Sequence, residues 1–447
     1  MISHLQLTNF KAWRNTGQLS LASLTLLFGT NSSGKSSLIQ SMLLLRQTVR
    51  SANPNVDLNF GRADAGDSAV LGVFEDVLCQ DAEATEVVKA KQIGIELGWK
   101  STQSSDEAGV FSAVYDEGGG GSGALASLRL GRGVNGFGVQ RAKHGSYKLF
   151  VADRARAIGA SPAFRPRQSF AISAAAAEAL GTRAVAVSAA GQSMVEELSR
   201  ITYLGPVRRL AQRDYVWTGH LPGSIGDDGA GAIDALIASS IAREAARRRG
   251  LLQSSGGQLA EDVGRWLSMM GLADGVNALR LGQSARYELH VVANGSQSNL
   301  KDVGVGVSQV LPVIVAALYA QPGDIVIVEE PESHLHPMAQ TQLAELFIQV
   351  SRDRGVQFIV ESHSEHLLLR LQRRVAERQL QAEAVAMYFL KKRDGRAHIE
   401  KLQMNDAGDI SNWPENFFGD DMSEIAARTM AAISQDATPP APAEVSG

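Results

Sequence analysis

The chain has 447 residues, 44% of them hydrophobic and 20% charged, the balance of a globular protein rather than a disordered one. Its 43 basic and 47 acidic residues leave a net charge of −4, which excludes a global electrostatic pull toward nucleic acid, so any such contact is expected to be local. One cysteine, Cys79, permits no internal disulfide framework and fits a reducing cytoplasm. No stretch approaches the about 18 uninterrupted apolar residues of a membrane span, and the N-terminus lacks a basic n-region and an apolar h-region, so a cytoplasmic protein without membrane contact is expected.

Residues 4–10 alternate polar and apolar side chains and predict a strand. Residues 19–28 predict a second strand that runs into Gly29-Thr-Asn-Ser-Ser-Gly-Lys-Ser-Ser37, followed by the helical pattern of residues 38–45. This is a complete G-x-x-x-x-G-K-[ST] phosphate loop in a strand–loop–helix setting. Glycines let the backbone curl so that successive amides and the positive end of the next helix face one anion. Asn31, Ser32, Ser33, Gly34, Lys35, Ser36 and Ser37 are therefore candidate binders of ATP or GTP, with Lys35 reaching the outer phosphates and the Ser36 hydroxyl taking a magnesium site.

Residues 92–170 break into short strand-like pieces, with Glu117-Gly-Gly-Gly-Gly-Ser-Gly123 read as a hairpin tip or linker. Helical patterns follow at residues 174–180, 194–201, 232–249 and 259–270, and no apolar heptads persist long enough for a long coiled coil. Arginines cluster at Arg208, Arg209 and Arg213, at Arg247, Arg248 and Arg249, and at Arg370, Arg373, Arg374 and Arg378. Solvated helix faces or intramolecular ion pairs are the favoured reading of such clusters.

After a strand at 288–293 and a helix at 307–318, the apolar strand 324–328 ends in Glu329-Glu330-Pro331-Glu332. A parallel strand delivers carboxylates to the crevice where α/β sheets bind ligands, which would set them beside the phosphate loop. Glu329 is then the candidate magnesium ligand, and Glu330 the group that orients or deprotonates an attacking water. A further strand, 356–360, ends in Glu361-Ser-His363, and His363 is expected to contact the outermost phosphate. His334, His336, His363 and His366 invite a zinc reading, but neither an H-E-x-x-H nor a C-x-x-C accompanies them. The proline-bearing tail, residues 436–447, reads as disordered.

The ordered set GTNSSGKSS, DVGVGVSQVLP (302–312), IVIVEEPESHLHP (325–337) and FIVESHSEHL (358–367) resembles the ABC-type ATPases of the SMC, RecF and OLD group. Within that group it is similar to bacterial ATPases with a C-terminal domain of unknown function, a likeness carried by residues 399–419 with Trp413-Pro-Glu-Asn-Phe-Phe418, by residues 71–76, and by Tyr203-Leu-Gly-Pro-Val-Arg208. The resemblance implies an α/β ATPase head, a phosphate-loop sheet with an antiparallel β subdomain, carrying an inserted β/helical arm. It implies a homodimer, open to higher assembly, that clamps ATP and Mg2+ between subunits. Gly304, Gly306, Ser308 and Gln309 would serve as the signature segment facing the partner's nucleotide, and Glu332, Ser333 and His334 as the coupling loop. The signature departs from the transporter pattern and Glu329 stands where an aspartate is commoner, which suggests slow, switch-like hydrolysis; Gln80 is a candidate for the Q-loop glutamine.

The expected layout is an N-terminal lobe at 1–91, an arm at 92–285, a C-terminal lobe at 286–395, a small domain at 396–435 and the tail. The resemblance points to bacterial defence against phage or foreign DNA. The stretch after His363 is shorter than the about 100 residues an ordinary domain takes, so a nuclease-like effector is expected as a separate protein, with Trp413–Phe418 either docking it or serving only as an apolar staple. A RecF-like DNA-binding ATPase and a non-hydrolysing, ATP-dependent assembly scaffold are the rival expectations.

Overall fold

The computed structural model describes residues 1–80, 91–100, 108–132, 136–151, 157–249 and 257–414. Successive residues of a strand face opposite ways, and in Ile325–Glu329 both faces are apolar: Ile325 and Ile327 enter one core, Val326 and Val328 another. The strands Gln357–Glu361, Leu24–Gly29 and Val385–Arg393 repeat this, with Ile359, Leu27 and Tyr388 in the first core and Phe358, Phe28 and Met387 in the second. Strands apolar on both faces form sheets covered on both sides. Six strands accordingly make a central sheet in the order Ile201–Leu204, Ile325–Glu329, Gln357–Glu361, Leu24–Gly29, Val385–Arg393, Arg396–Leu402, parallel except for the last.

The first core lies between this sheet and a nine-stranded antiparallel one. There Ile2–Phe10 pairs with Trp13–Asn15 and Ile93–Lys100, and the sheet continues through Ala108–Glu117, Gly123–Arg132, Phe137–Arg141, Tyr147–Val151 and Gly159–Ser161. Helix Lys35–Arg50 puts Leu38, Ile39, Met42 and Leu45 into that core. On the other side, helices Ala230–Arg248, Gln258–Met269, Val305–Tyr319, Pro337–Arg354 and Glu365–Ala376 fill the second core. Their ends are set by local chemistry. Pro337 opens its helix and Gly355 closes it at φ 65, while the Ser364 hydroxyl caps the last helix by accepting from the Leu367 amide at 3.0 Å.

The architecture is an α/β one, a mainly parallel central sheet beside an antiparallel sheet, and among the described residues the longest helix has 19 residues, so these residues contain no long coiled coil. Three local expectations change. The single strand expected over 19–28 is two: Leu19–Ser20 pairs with Ile2–Phe10, and Leu24–Gly29 crosses to the central sheet. The helix expected at 194–201 is Ala184–Ser199, its first half built of Ala, Val and Ser, which carry little large-residue periodicity. The residues of the 92–285 stretch divide among three sheets, since Ile93–Lys100 joins the antiparallel one, Ile201–Leu204 edges the central one, and Gly275–Arg280 belongs to a four-stranded one. Residues 117–123 do form a hairpin tip, between Ala108–Glu117 and Gly123–Arg132. Residues 415–435 of the small C-terminal domain and the tail 436–447 lie outside the described residues. Among those described, no helix is long and apolar enough to cross a membrane.

Candidate functional site

Parallel strands present their C-terminal ends on one edge, and three of them here end at the same crevice. The phosphate-loop strand Leu24–Gly29 pairs with Gln357–Glu361, which pairs in turn with Ile325–Glu329, making Glu361 and Glu329 register partners. The acidic pair Glu329–Glu330 is therefore one strand removed from the phosphate loop, not directly beside it, and Glu361 fills the interval. Strand order is a tertiary property that motif spacing does not encode.

Two glycines shape the loop. Gly29 has φ 142, and a Cβ there would lie 2.0 Å from the carbonyl oxygen of Leu390 on the neighbouring strand. Gly34 has φ 103; its carbonyl accepts the Trp13 indole N–H at 3.0 Å, and a Cβ would meet the indole at 2.9 Å. Trp13 is 1% exposed, so the turn after the first strand is a wall behind the loop. Because Gly34 caps helix Lys35–Arg50 with no side chain, the first amides of that helix remain available to an anion. The Ser33 hydroxyl is buried without a partner.

Lys35 is buried, its Nζ donating to the carbonyls of Gly29 and Thr30 at 3.0 Å each and lying 3.6 Å from the Glu361 carboxylate. Burial lowers its pKa, against the pull of Glu361. The Ser36 hydroxyl donates to Glu361 Oε2 at 3.3 Å. Burial first, and the Glu329 charge second, push the Glu361 carboxyl up to about 8, and burial raises Glu329 too. Two carboxylates in so dry a place disfavour each other's charge, which favours a single proton shared between them. The Tyr203 hydroxyl donates to Glu329 Oε1 at 2.7 Å, and burial and that carboxylate hold its phenol well above the usual range.

Glu330 continues the strand by donating its amide to the Glu361 carbonyl at 2.8 Å, then turns at φ 45, a left-handed conformation rare for a residue other than glycine. Its carboxylate accepts from the Ser333 hydroxyl at 3.0 Å. The Arg208 guanidinium donates to the carbonyls of Glu329 at 2.6 Å and Glu330 at 3.1 Å. Glu332 is buried and accepts from the His363 amide at 2.5 Å, which fixes where His363 leaves its strand. The His363 ring is exposed at the crevice, its pKa lowered by partial burial and by Lys35.

Of the sequence candidates, Lys35, Ser36, Glu329, Glu330 and His363 meet here with the phosphate loop. Gly304, Gly306, Ser308 and Gln309 begin helix Val305–Tyr319, where a Cβ on Gly306 would stand 2.8 Å from the carbonyl oxygen of His334 in the turn after the acidic strand. Gly304 and Ser308 remain accessible, whereas Gln309 is buried in its own chain at 7% exposure. Gln80 lines a separate cavity of about 530 Å3 with Lys11, Arg14, Lys392 and His398. Sequence reasoning assigned no role to Glu361, Tyr203, Arg208 or Trp13. For Glu361 the signal was present, a carboxylate at the same strand end as His363; for the other three only an unexplained motif and a turn pointed to them.

The arginine clusters are largely paired within the chain: Arg209 with Asp228 at 3.0 Å, Arg370 and Arg374 with Glu345 at 2.7 and 2.6 Å, Arg373 with Glu377 at 2.7 Å, and Arg248 with Glu244. Trp413 is 47% exposed, and residues 415–418 of its cluster lie outside the described residues.

The crevice fits a magnesium nucleotide. Magnesium is usually held by one or two carboxylates with substrate phosphates completing its shell. The donors here are that set: the Ser36 hydroxyl, the Glu361 and Glu329 carboxylates, uncapped helix amides and a lysine. Among the described residues no group of three His, Cys, Asp or Glu forms a self-sufficient metal cage.

Residues 218–370 match the family described as "AAA domain, putative AbiEii toxin, Type IV TA system", and residues 380–427 match "Protein of unknown function (DUF3696)". No curated protein matches the chain. Among solved structures, the SMC head domain from Thermotoga maritima is 12% identical, with 90% of this chain and 99% of that one covered at a TM-score of 0.39. An SMC head bound to the C-terminal winged-helix domain of ScpA is 13% identical over 90% and 98% of the two chains, TM-score 0.42. An SMC head with extended coiled coil bound to the C-terminal domain of ScpA, derived from Pyrococcus furiosus, is 12% identical over 97% and 99%, TM-score 0.42. Residues 218–370 thus resemble an AAA-type domain, and the phosphate loop and the acidic strand ends meet in one crevice suited to a nucleotide's phosphates.

Proposed function

We propose that the protein hydrolyses ATP slowly, dimerises around it, and through that closure gates a separate, nuclease-like effector in bacterial defence against phage or foreign DNA. The observation that carries the reading is the convergence of Lys35, Ser36, Glu361, Glu329 and Glu330 on one crevice, from three strand ends brought together from distant parts of the chain. The likeness of residues 218–370 to a family whose description names a toxin of a type IV system supports a role in defence.

Magnesium and ATP supply the electrophilic phosphorus and the countercharge. Lys35 and the uncapped amides of its helix bind and orient the phosphates, and Ser36, Glu361 and Glu329 hold the metal. Glu330, fixed by Ser333, orients water and accepts its proton at the carboxylate. His363 bonds the outermost phosphate. Gly304, Gly306 and Ser308 complete the partner's site at the exposed start of their helix, while the burial of Gln309 gives it a packing role instead. On this reading residues 1–91 and 286–395 form the head and 92–285 an elaboration of it. Magnesium ATP and a homodimer are thus part of the proposal, as is location in the cytoplasm. DNA binding would require breaking several of the arginine–carboxylate pairs described above.

The test compares wild type with Glu330→Gln for ATP turnover and for dimerisation by light scattering. The variant is expected to bind ATP, lose turnover and accumulate as a dimer. Wild-type turnover in Glu330→Gln would remove Glu330 from its role, and a wild type that binds ATP without hydrolysing it would leave an assembly scaffold.

A further inference from the structure

The segment Tyr203-Leu-Gly-Pro-Val-Arg208 is a motif that the nucleotide chemistry leaves unused. It begins on the edge strand Ile201–Leu204, beside Ile325–Glu329, and both of its polar ends reach the acidic turn. Tyr203 donates to the Glu329 carboxylate at 2.7 Å, and Arg208 to the main-chain carbonyls of Glu329 and Glu330 at 2.6 and 3.1 Å. The turn so held is the one in which Glu330 adopts φ 45. A non-glycine residue in the left-handed region is strained and persists only where its surroundings impose it.

The form of the Arg208 contact is itself informative. The side chain is 4% exposed, yet Nε and Nη1 are buried without partners, and it faces two carbonyls instead of forming a tight carboxylate pair. An incompletely bonded guanidinium in a dry place is destabilising. Donors left unpaired in this way are costly to folding, and departures of this kind concentrate at functional positions.

We propose that Arg208 is a positioning residue for the ATP reaction: by bonding the carbonyls of the two peptides that flank the Glu330 Cα, it imposes the left-handed turn that aims the Glu330 carboxylate, while Tyr203 fixes Glu329 from the same segment. This inference rests on the ATPase reading above. Arg208 touches main chain only and acts through Glu330. The Ser333 bond restrains the carboxylate from one side, and the Arg208 grip restrains its backbone from the other.

The experiment measures steady-state ATP turnover, ATP affinity and thermal unfolding for wild type, Arg208→Ala, Arg208→Lys, Glu330→Gln, and Arg208→Ala combined with Glu330→Gln. Displacement of a reacting group by about 1 Å costs on the order of 100-fold. Arg208→Ala is therefore expected to lower kcat by about 100-fold with KM and ATP affinity within about twofold of wild type. Lysine keeps one donor and should recover part of the loss. In the Glu330→Gln background, which has no turnover left to lose, Arg208→Ala should leave ATP affinity unchanged, because a residue that acts only through Glu330 does not hold the nucleotide.

An unchanged kcat in Arg208→Ala, or a parallel loss of ATP affinity, overturns the inference. So does a loss of ATP affinity on adding Arg208→Ala to Glu330→Gln. If Arg208→Ala fails to fold, Arg208→Lys decides by the same split: reduced kcat at constant KM supports the assignment, and any other result refutes it. Absence of turnover in wild type overturns the ATPase reading itself, a result distinct from each of these.

Discussion

Glu361→Gln separates the electrostatics of the crevice from its shape. Glutamine preserves the side-chain volume and the ability to accept from Ser36, and it removes a carboxyl that in the folded protein is pushed up to about 8 from an ordinary 4.5. Between those values the folded state binds more protons than the unfolded state, so stability falls as pH rises. The contribution is fully present below the unfolded value and is lost as pH passes through the folded one. One group changes stability by at most about 1.4 kcal/mol per pH unit. From about pH 5 to about pH 8 the nucleotide-free wild type thus loses up to about 4 kcal/mol through this residue. With an unfolding entropy of about 2.1 cal/mol/K per residue, a chain of 447 residues converts that into a fall in Tm of roughly 4 °C. Thermal unfolding across that range should show a slope in wild type and a flatter line in Glu361→Gln, the more so because Glu329 loses its rival charge. Titration calorimetry in buffers of different ionisation enthalpy gives a second reading, since magnesium ATP must displace the Glu361 proton near neutral pH in wild type but not in the variant. Equal slopes, together with equal proton release, would refute the shared-proton assignment.

Lys35→Ala should abolish ATP binding measured by calorimetry, and an unchanged affinity would contradict the phosphate-loop assignment. Ser308→Arg should bind ATP normally but remain monomeric by light scattering; dimers at saturating ATP would show that the helix start does not face a partner. Trp13→Ala removes a fully buried indole and the bond to Gly34, so a loss of about 3–5 kcal/mol in denaturant unfolding is expected, accompanied by weakened ATP binding. Stability lost with nucleotide affinity intact would make Trp13 a core residue only.

Much of the site was legible before any coordinates because its chemistry is local. A curled glycine loop, a lysine and a hydroxyl must follow a strand and open a helix within a few residues, so Gly29 to Ser37 declares itself. The apolar runs ending in Glu329 and in Glu361 declare buried parallel strands in the same way. What their text could not contain is neighbourhood: that Gln357–Glu361 lies between the other two strands, that the strands Ile93–Lys100, Ala108–Glu117 and Gly123–Arg132 extend the N-terminal sheet, or that Tyr203 and Arg208 reach the acidic turn from a segment more than a hundred residues away. Side-chain periodicity records which face of an element is buried and is silent about what buries it. Motifs are short because bonding within them is short-ranged, whereas strand order, the crowding of Glu361 against Glu329, and the grip of Arg208 arise only when distant segments compete for the same buried space.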